Sequence, residues 1–335
     1  MSSHHGSSRA PHSRRISPGW SKRSLAIVLL TIAGGVAFAT AAHGASAPTG
    51  THGRASSANE LTTGKAIFLG VVEGVTEFLP VSSTGHLTVA ERLVDVGQSN
   101  ATRDVTKSYT VMIQIGAIFA VLLLYWRRIV EIARGLVGRS REGRSLLIAL
   151  IVAFLPAALI GKLLEEPIES HLFGVGPVAA AWIVGGIVIL IWSRRFRRPA
   201  AEGISLEALS VKSALIIGVA QSLALWPGVS RSLVTILAAL ACGLTLSAAI
   251  EFSFLLGLAI LSAATGYEML RHGTEVTHAF GWSSPTIGVI AAAVSAAIAV
   301  KWMVAYLNRH SLDVFGYYRI AAGAAVIGLL VTKAI

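Results

Sequence analysis

Charge is scarce in this chain. Only 13% of its 335 residues are Asp, Glu, Lys or Arg, about half the share a soluble domain carries. With 54% hydrophobic residues and a mean hydropathy of +0.68, that scarcity excludes a soluble globular domain. Cysteine is nearly missing. The single residue, Cys242, lies in an apolar stretch and excludes an internal disulfide. Acidic side chains are the scarcer sign, 17 against 28 basic, which leaves a net charge of +11. That excess does not indicate nucleic acid, because the arginines gather beside apolar runs: Arg127, Arg128, Arg134, Arg139, Arg141 and Arg144, then Arg194, Arg195, Arg197 and Arg198. This is the positive-inside pattern of short cytoplasmic segments.

What the chain does have is apolar runs long enough to cross a bilayer, for which roughly 20 residues suffice. The expected fold is all-α, a polytopic membrane protein with membrane lipids around it. Residues 1–23 are polar and basic and read as disordered. Residues 24–42 are apolar and precede Ala45-Ser46-Ala47, a small-x-small cleavage pattern, so 24–47 reads as a signal peptide or signal anchor. Residues 48–62 read as a linker outside the cytoplasm. Two membrane units follow, 63–199 and 200–335.

Each unit opens on a pair of short apolar stretches split by a proline-containing polar turn. The turns are Leu79-Pro80-Val81-Ser82-Ser83 and Trp226-Pro227-Gly228-Val229-Ser230. Proline removes a backbone donor and breaks a helix, and irregular backbone at membrane depth survives only inside protein or against a wet cavity. Residues 64–94 and 211–243 are therefore predicted to be re-entrant helical hairpins, each followed by three full spans. The charge pattern places 127–144 and 194–210 in the cytoplasm and 165–175 outside. The hairpins then enter from opposite sides, giving an inverted-topology repeat. Residues 69–83 overlay 217–230 with one single-residue gap, which pairs Gly70 with Gly218, Glu73 with Gln221, Pro80 with Pro227 and Ser83 with Ser230.

The chemistry-bearing residues sit in these hairpins. Glu73 and Glu77 are four apart and share one helix face. Carboxylates in a membrane segment are costly and usually face a functional interior. A pair suits a hard divalent cation, Mg²⁺ or Ca²⁺, or proton transfer; the bland reading is packing against Arg231. Ser82, Ser83, Thr84 and His86 open the next half-helix. Hydroxyls there serve as N-caps, the reading given to Ser82, and helix N-terminal amides also bind anions. His86 lies one turn after Ser83, so the two can meet as nucleophile and proton partner; Glu77, across the Pro80 turn, is the other candidate to take the serine proton, and a water nucleophile with Ser83 only binding phosphate is the alternative. In the second hairpin, Gly228 allows close backbone approach to a ligand, Arg231 suits bidentate phosphate binding, and Ser230 and Thr235 flank it. The two tips are expected to meet at mid-membrane. Glu251 is read as supporting the site by hydrogen bonding, Gln221 as the counterpart of Glu73, and Gln114 as support or helix–helix glue.

At these residues the chain resembles the undecaprenyl pyrophosphate phosphatase family, the bacitracin-resistance phosphatases. EGVTEFLPVSSTGH (73–86) and PGVSRS (227–232) carry the resemblance, with VMIQIGAIFAV, EFSFLL and YYRIAAG beside them. It covers roughly residues 64–334. It departs at Leu233, where the family usually has Gly, and at Gly257, where a Pro commonly follows. The resemblance implies hydrolysis of undecaprenyl diphosphate to undecaprenyl phosphate and inorganic phosphate, which recycles the lipid carrier of cell-wall synthesis and confers bacitracin resistance. It also implies a Mg²⁺ or Ca²⁺ requirement and a site in the bacterial cytoplasmic membrane that opens to the outer face. Under it Glu73 and Glu77 match the acidic motif, Ser83 the nucleophile, His86 the essential histidine and Arg231 the phosphate-binding arginine. A homodimer stays open. The rival reading is a lipid-phosphate transporter or flippase, since inverted repeats with broken helices are a transporter architecture. The other membrane lipid phosphatase pattern, with its catalytic histidine after an SR motif, is excluded: no histidine falls between Arg231 and Arg271.

Overall fold

In the computed structural model, residues 60–99, 102–195 and 202–333 are described. The N-terminal segment, the signal-like run and nearly all of the 48–62 linker lie outside them. The described residues are helical and contain no β-strand; one isolated bridge joins Ile204 to Leu244.

The first hairpin is α1 (Thr63–Thr76) and α2 (Ser83–Leu93). It leads into α3 (Arg103–Met112) and α4 (Gln114–Leu124), which run on as one apolar stretch. Then come α5 (Trp126–Leu136), α6 (Arg141–Leu163), α7 (Glu165–Leu172) and α8 (Val175–Arg195). The second hairpin is α9 (Val211–Gln221) and α10 (Arg231–Ala241). Three long helices end the chain: α11 (Leu246–Phe280), α12 (Ser283–Leu307) and α13 (Asp313–Val331). Among the described residues six helices are long and apolar enough to cross a membrane: Arg103–Leu124, α6, α8, α11, α12 and α13. The hairpin helices are not. At 1.5 Å per residue the 14 residues of α1 reach only about 21 Å, short of a hydrocarbon core of about 30 Å.

The two hairpins share their register. Thr62 and Ser210 each cap their helix by accepting from the backbone N–H three residues on, and they lie 148 residues apart. The same spacing separates the N-caps Ser82 and Ser230, and the last residues of α2 and α10. This corrects the gapped overlay. Ser82, not Ser83, is the counterpart of Ser230, and Pro80 and Pro227 are not equivalent. Ser83 corresponds to Arg231, so one hairpin offers a hydroxyl where the other offers a guanidinium.

Both caps sit in the left-handed region, Ser82 at φ 73° and Ser230 at φ 79°. Such a residue costs about 1–3 kcal/mol and persists only where its surroundings hold it. Here each serine oxygen accepts from a backbone N–H of its own helix, Gly85 in one case and Leu233 in the other. Leu233 lies inside α10, buried, so the absence of Gly there leaves the turn intact.

The halves interlock. α1 packs on α12, with Gly70 against the backbone of Gly288, and α9 packs on α6, with Gly218 against Ala153. Each hairpin thus closes on the middle span of the other half, where small residues let backbones approach. α8 packs on α13 between them.

Candidate active site

The turns of the two hairpins meet. Glu77, the C-cap of α1, accepts from the Arg231 guanidinium, Nη2 to Oε1 at 2.9 Å, with both side chains nearly buried. Its other oxygen, Oε2, accepts a hydrogen bond from the Ser83 hydroxyl. Ser232 Oγ donates to the Leu79 carbonyl at 2.7 Å, a second bond between the tips. Arg231 also donates to the Ser253 carbonyl at 2.9 Å and lies over the Phe78 ring, 5.5 Å from its centroid. A Cβ at Gly257 would fall on this guanidinium. The bare Gly257 therefore makes room for Arg231, which gives the departure at that position a physical reason.

Glu73 lies one turn earlier on the same face. It is fully buried, and neither carboxylate oxygen has a hydrogen-bond partner. An unsatisfied buried carboxylate is expensive, and its two oxygens are hard donors one turn from those of Glu77. Its counterpart Gln221 is also buried, and the Gln221 Oε1 is likewise unpartnered.

His86 stands one turn after Ser83 on α2 but bonds other partners. Its Nδ1 lies 2.7 Å from the Ser82 carbonyl and its Nε2 2.7 Å from the Tyr318 hydroxyl. A carbonyl only accepts, so Nδ1 carries the proton and neutral Nε2 accepts from Tyr318. The ring is sandwiched between Trp182 and Tyr318, centroids 4.4 and 5.7 Å away. Ser83 is hydrogen-bonded to Glu77 instead, because it starts α2 and faces back across the turn.

Other expected residues fall as follows. Thr84 is exposed; Thr235 is fully buried and bonds the Arg231 carbonyl at 2.8 Å. Gly228, at φ +95°, presents its carbonyl to Arg319. Glu251 does not support the site. It accepts from Arg128 Nε at 2.6 Å in a network with Glu131 and Glu207; two residues before Ser253, its side chain stands about 200° round α11 from that of Ser253. Gln114 accepts from Thr265 at 3.4 Å and joins α4 to α11.

Sequence reasoning missed Arg319 and Tyr318 on α13. Arg319 is fully buried and donates to four carbonyls, with no carboxylate. These are Pro80 (3.3 Å) and Gly228 (2.8 Å), one from each tip, and Ala181 (2.9 Å) and Trp182 (3.3 Å) on α8. A lone arginine inside an apolar span was the available signal. A cavity of about 770 Å³, lined by Trp192, Leu240, Tyr306, Arg309, His310 and Asp313 among others, includes none of the site residues.

Buried carboxylates, a hydroxyl, an imidazole and a guanidinium converge at the junction of two broken helices. The fold and this junction define a multi-pass membrane protein with the side-chain inventory of phosphoryl transfer. Comparison with known proteins narrows the class. The model of the family described as bacitracin resistance protein BacA matches residues 66–325. A Sorangium cellulosum protein named undecaprenyl-diphosphatase is 42% identical over 266 residues, covering 79% of this chain and 85% of its own. Relatives of the same name from Nitrosomonas eutropha and Methylococcus capsulatus are 43% identical, each covering 78% of this chain and 93% of theirs. The chain belongs to the BacA family.

Proposed function

We propose that the protein is a membrane phosphatase that hydrolyses undecaprenyl diphosphate to undecaprenyl phosphate and inorganic phosphate, returning the lipid carrier to cell-wall synthesis and conferring bacitracin resistance. The observation that carries the mechanism is the shared carboxylate: Glu77 accepts from Ser83 on one oxygen and from Arg231 on the other. In this reading Ser83 Oγ attacks the terminal phosphorus while Glu77 takes its proton, since a serine hydroxyl is a poor nucleophile until a neighbour does so. The bond from phosphorus to the bridging oxygen breaks and undecaprenyl phosphate leaves. Water then cleaves the phosphoserine and releases phosphate. Arg231, with the amides at the starts of α2 and α10, holds the diphosphate. His86 would protonate the leaving phosphate as the imidazolium, from Nε2, with Nδ1–H kept on the Ser82 carbonyl and the Tyr318 hydroxyl released from Nε2.

A divalent cation, Mg²⁺ or Ca²⁺, fits Glu73 and Glu77. The unpartnered oxygens of Glu73 are hard donors, and such ions commonly take one or two carboxylates and fill the remaining positions with phosphate and water. When bound, the ion would offset the charge of the diphosphate. Purified protein in detergent is expected to release phosphate from a long-chain prenyl diphosphate, and excess chelator is expected to abolish this. No gradient exists in detergent, so absence of release under all conditions would favour a lipid-phosphate transporter. Full activity in chelator would leave Glu73 and Glu77 to proton transfer alone.

We also place the protein in the cytoplasmic membrane, with the halves inverted and the site open to the outer face. The basic α5–α6 turn supports a cytoplasmic side there. In a Cys242→Ser background, an impermeant thiol reagent added outside is expected to label Ile168→Cys and not Ser140→Cys. Equal labelling would contradict this orientation.

A further inference from the structure

α5 is the most amphipathic of the described helices, yet it is too short to span and is separated from α4 by a break at Tyr125. Its inward face is spoken for. Arg128 is bound by Glu131, Glu207 and Glu251 at 2.6–2.8 Å, and Gly135 packs against the start of α6 at Gly143. At 100° per residue, Trp126, Val130, Ala133 and Val137 fall on the opposite side. Trp126 is 56% exposed and Val137 64%. Arg127 and Arg134 flank this apolar stripe on one edge, both exposed. The turn into α6 adds exposed Arg139, Arg141 and Arg144, against one exposed carboxylate, Glu142. None of these five guanidinium groups has a hydrogen-bond or ion-pair partner among the described residues.

We infer that α5 lies in the plane of the membrane interface as a binding surface for anionic phospholipid headgroups, of the phosphatidylglycerol type. Its stripe enters the acyl boundary while Arg127, Arg134 and the arginines of the turn engage lipid phosphates. An apolar stripe edged by arginine is the build of an interfacial helix, and guanidinium forks match phosphate oxygens. The Arg128 network fixes which face turns outward, so the surface is preformed. Because α11 carries both Glu251 of that network and the Ser253 carbonyl that seats Arg231, lipid bound at α5 also rests on a helix that reaches the phosphate site.

The test uses full-length protein in nanodiscs of neutral lipid doped with a small fraction of brominated lipid. The part of the fluorescence owed to Trp126 is taken by difference from Trp126→Phe. Brominated phosphatidylglycerol is expected to quench it more strongly than brominated phosphatidylcholine at the same fraction. The preference should fall about fivefold per arginine removed at low salt in Arg127→Gln and Arg134→Gln, with phosphate release retained as evidence of fold. Equal quenching by both lipids would overturn the headgroup site and leave an ordinary lipid-facing helix. Absence of quenching by either would overturn the interfacial placement and leave the stripe covered by protein, such as a second copy of the chain.

Discussion

Ser83→Ala is expected to reduce phosphate release by several orders of magnitude while leaving the thermal stability of the purified protein close to wild type. The hydroxyl has one partner, Glu77, and sits at the first position of α2, where its backbone N–H has no intrahelical acceptor to lose. If Ser83 only positioned phosphate, its removal would forfeit one hydrogen bond, about 1–3 kcal/mol, or about tenfold to a hundredfold in rate. Single-turnover release thus separates the two roles. A variant that keeps a tenth of wild-type turnover would make water the nucleophile. Glu77→Gln should be as severe as Ser83→Ala, because it removes both the proton acceptor and the ion-pair partner of Arg231. His86→Ala should also be severe, whereas Ser82→Ala should act mainly on stability through the lost cap, costing about 1 kcal/mol.

The six spans were legible because a bilayer demands apolar runs of fixed length, and the hairpins because proline and polar turns interrupt shorter ones. The register of the repeat was misread by one residue. Prolines were used as landmarks, although Pro80 and Pro227 only break their helices; the serines that cap the next helices carry the geometry. Glu73, Glu77, Ser83 and Arg231 stood out as polar groups in apolar surroundings, which is a chemical signal and survives without coordinates. Of the two partners open to Ser83, Glu77 is the one hydrogen-bonded to it, and His86 turns to Tyr318, because helix spacing fixes a face but says nothing of what a distant helix offers there. Tyr318 lies 232 residues away from His86 in sequence. Glu251 carried the same chemical signal as Glu77 but its carboxylate is taken by Arg128, and which face of a span a residue occupies is poorly marked in an apolar sequence.

Arg319 left the faintest trace, since its partners are backbone carbonyls, which every residue has. Its geometry is nonetheless specific: one planar guanidinium binds Pro80 on the first tip and Gly228 on the second, and anchors both to α8. Arg319→Leu should leave the Pro80 and Gly228 carbonyls unpaired in a buried setting, and each hydrogen bond to a charged group is worth about 1.5–3 kcal/mol. The expected result is a large drop in melting temperature in detergent or failure to fold. Arg319→Lys keeps the charge but concentrates three donors at a point, so it cannot span both tips. That variant should fold, keep KM within a few-fold, and lose kcat by about a hundredfold or more, because misplacement by about 1 Å is enough to cost that much. Gly185→Ala offers an independent perturbation: its new methyl would collide with the Arg319 guanidinium, which supplies its three nearest atoms. It should lower kcat in the same direction, by a smaller factor. If Arg319→Lys and Gly185→Ala both retain wild-type kcat, the tips are aligned by their own serine caps and by Arg231 on Glu77, and α13 serves only to pack.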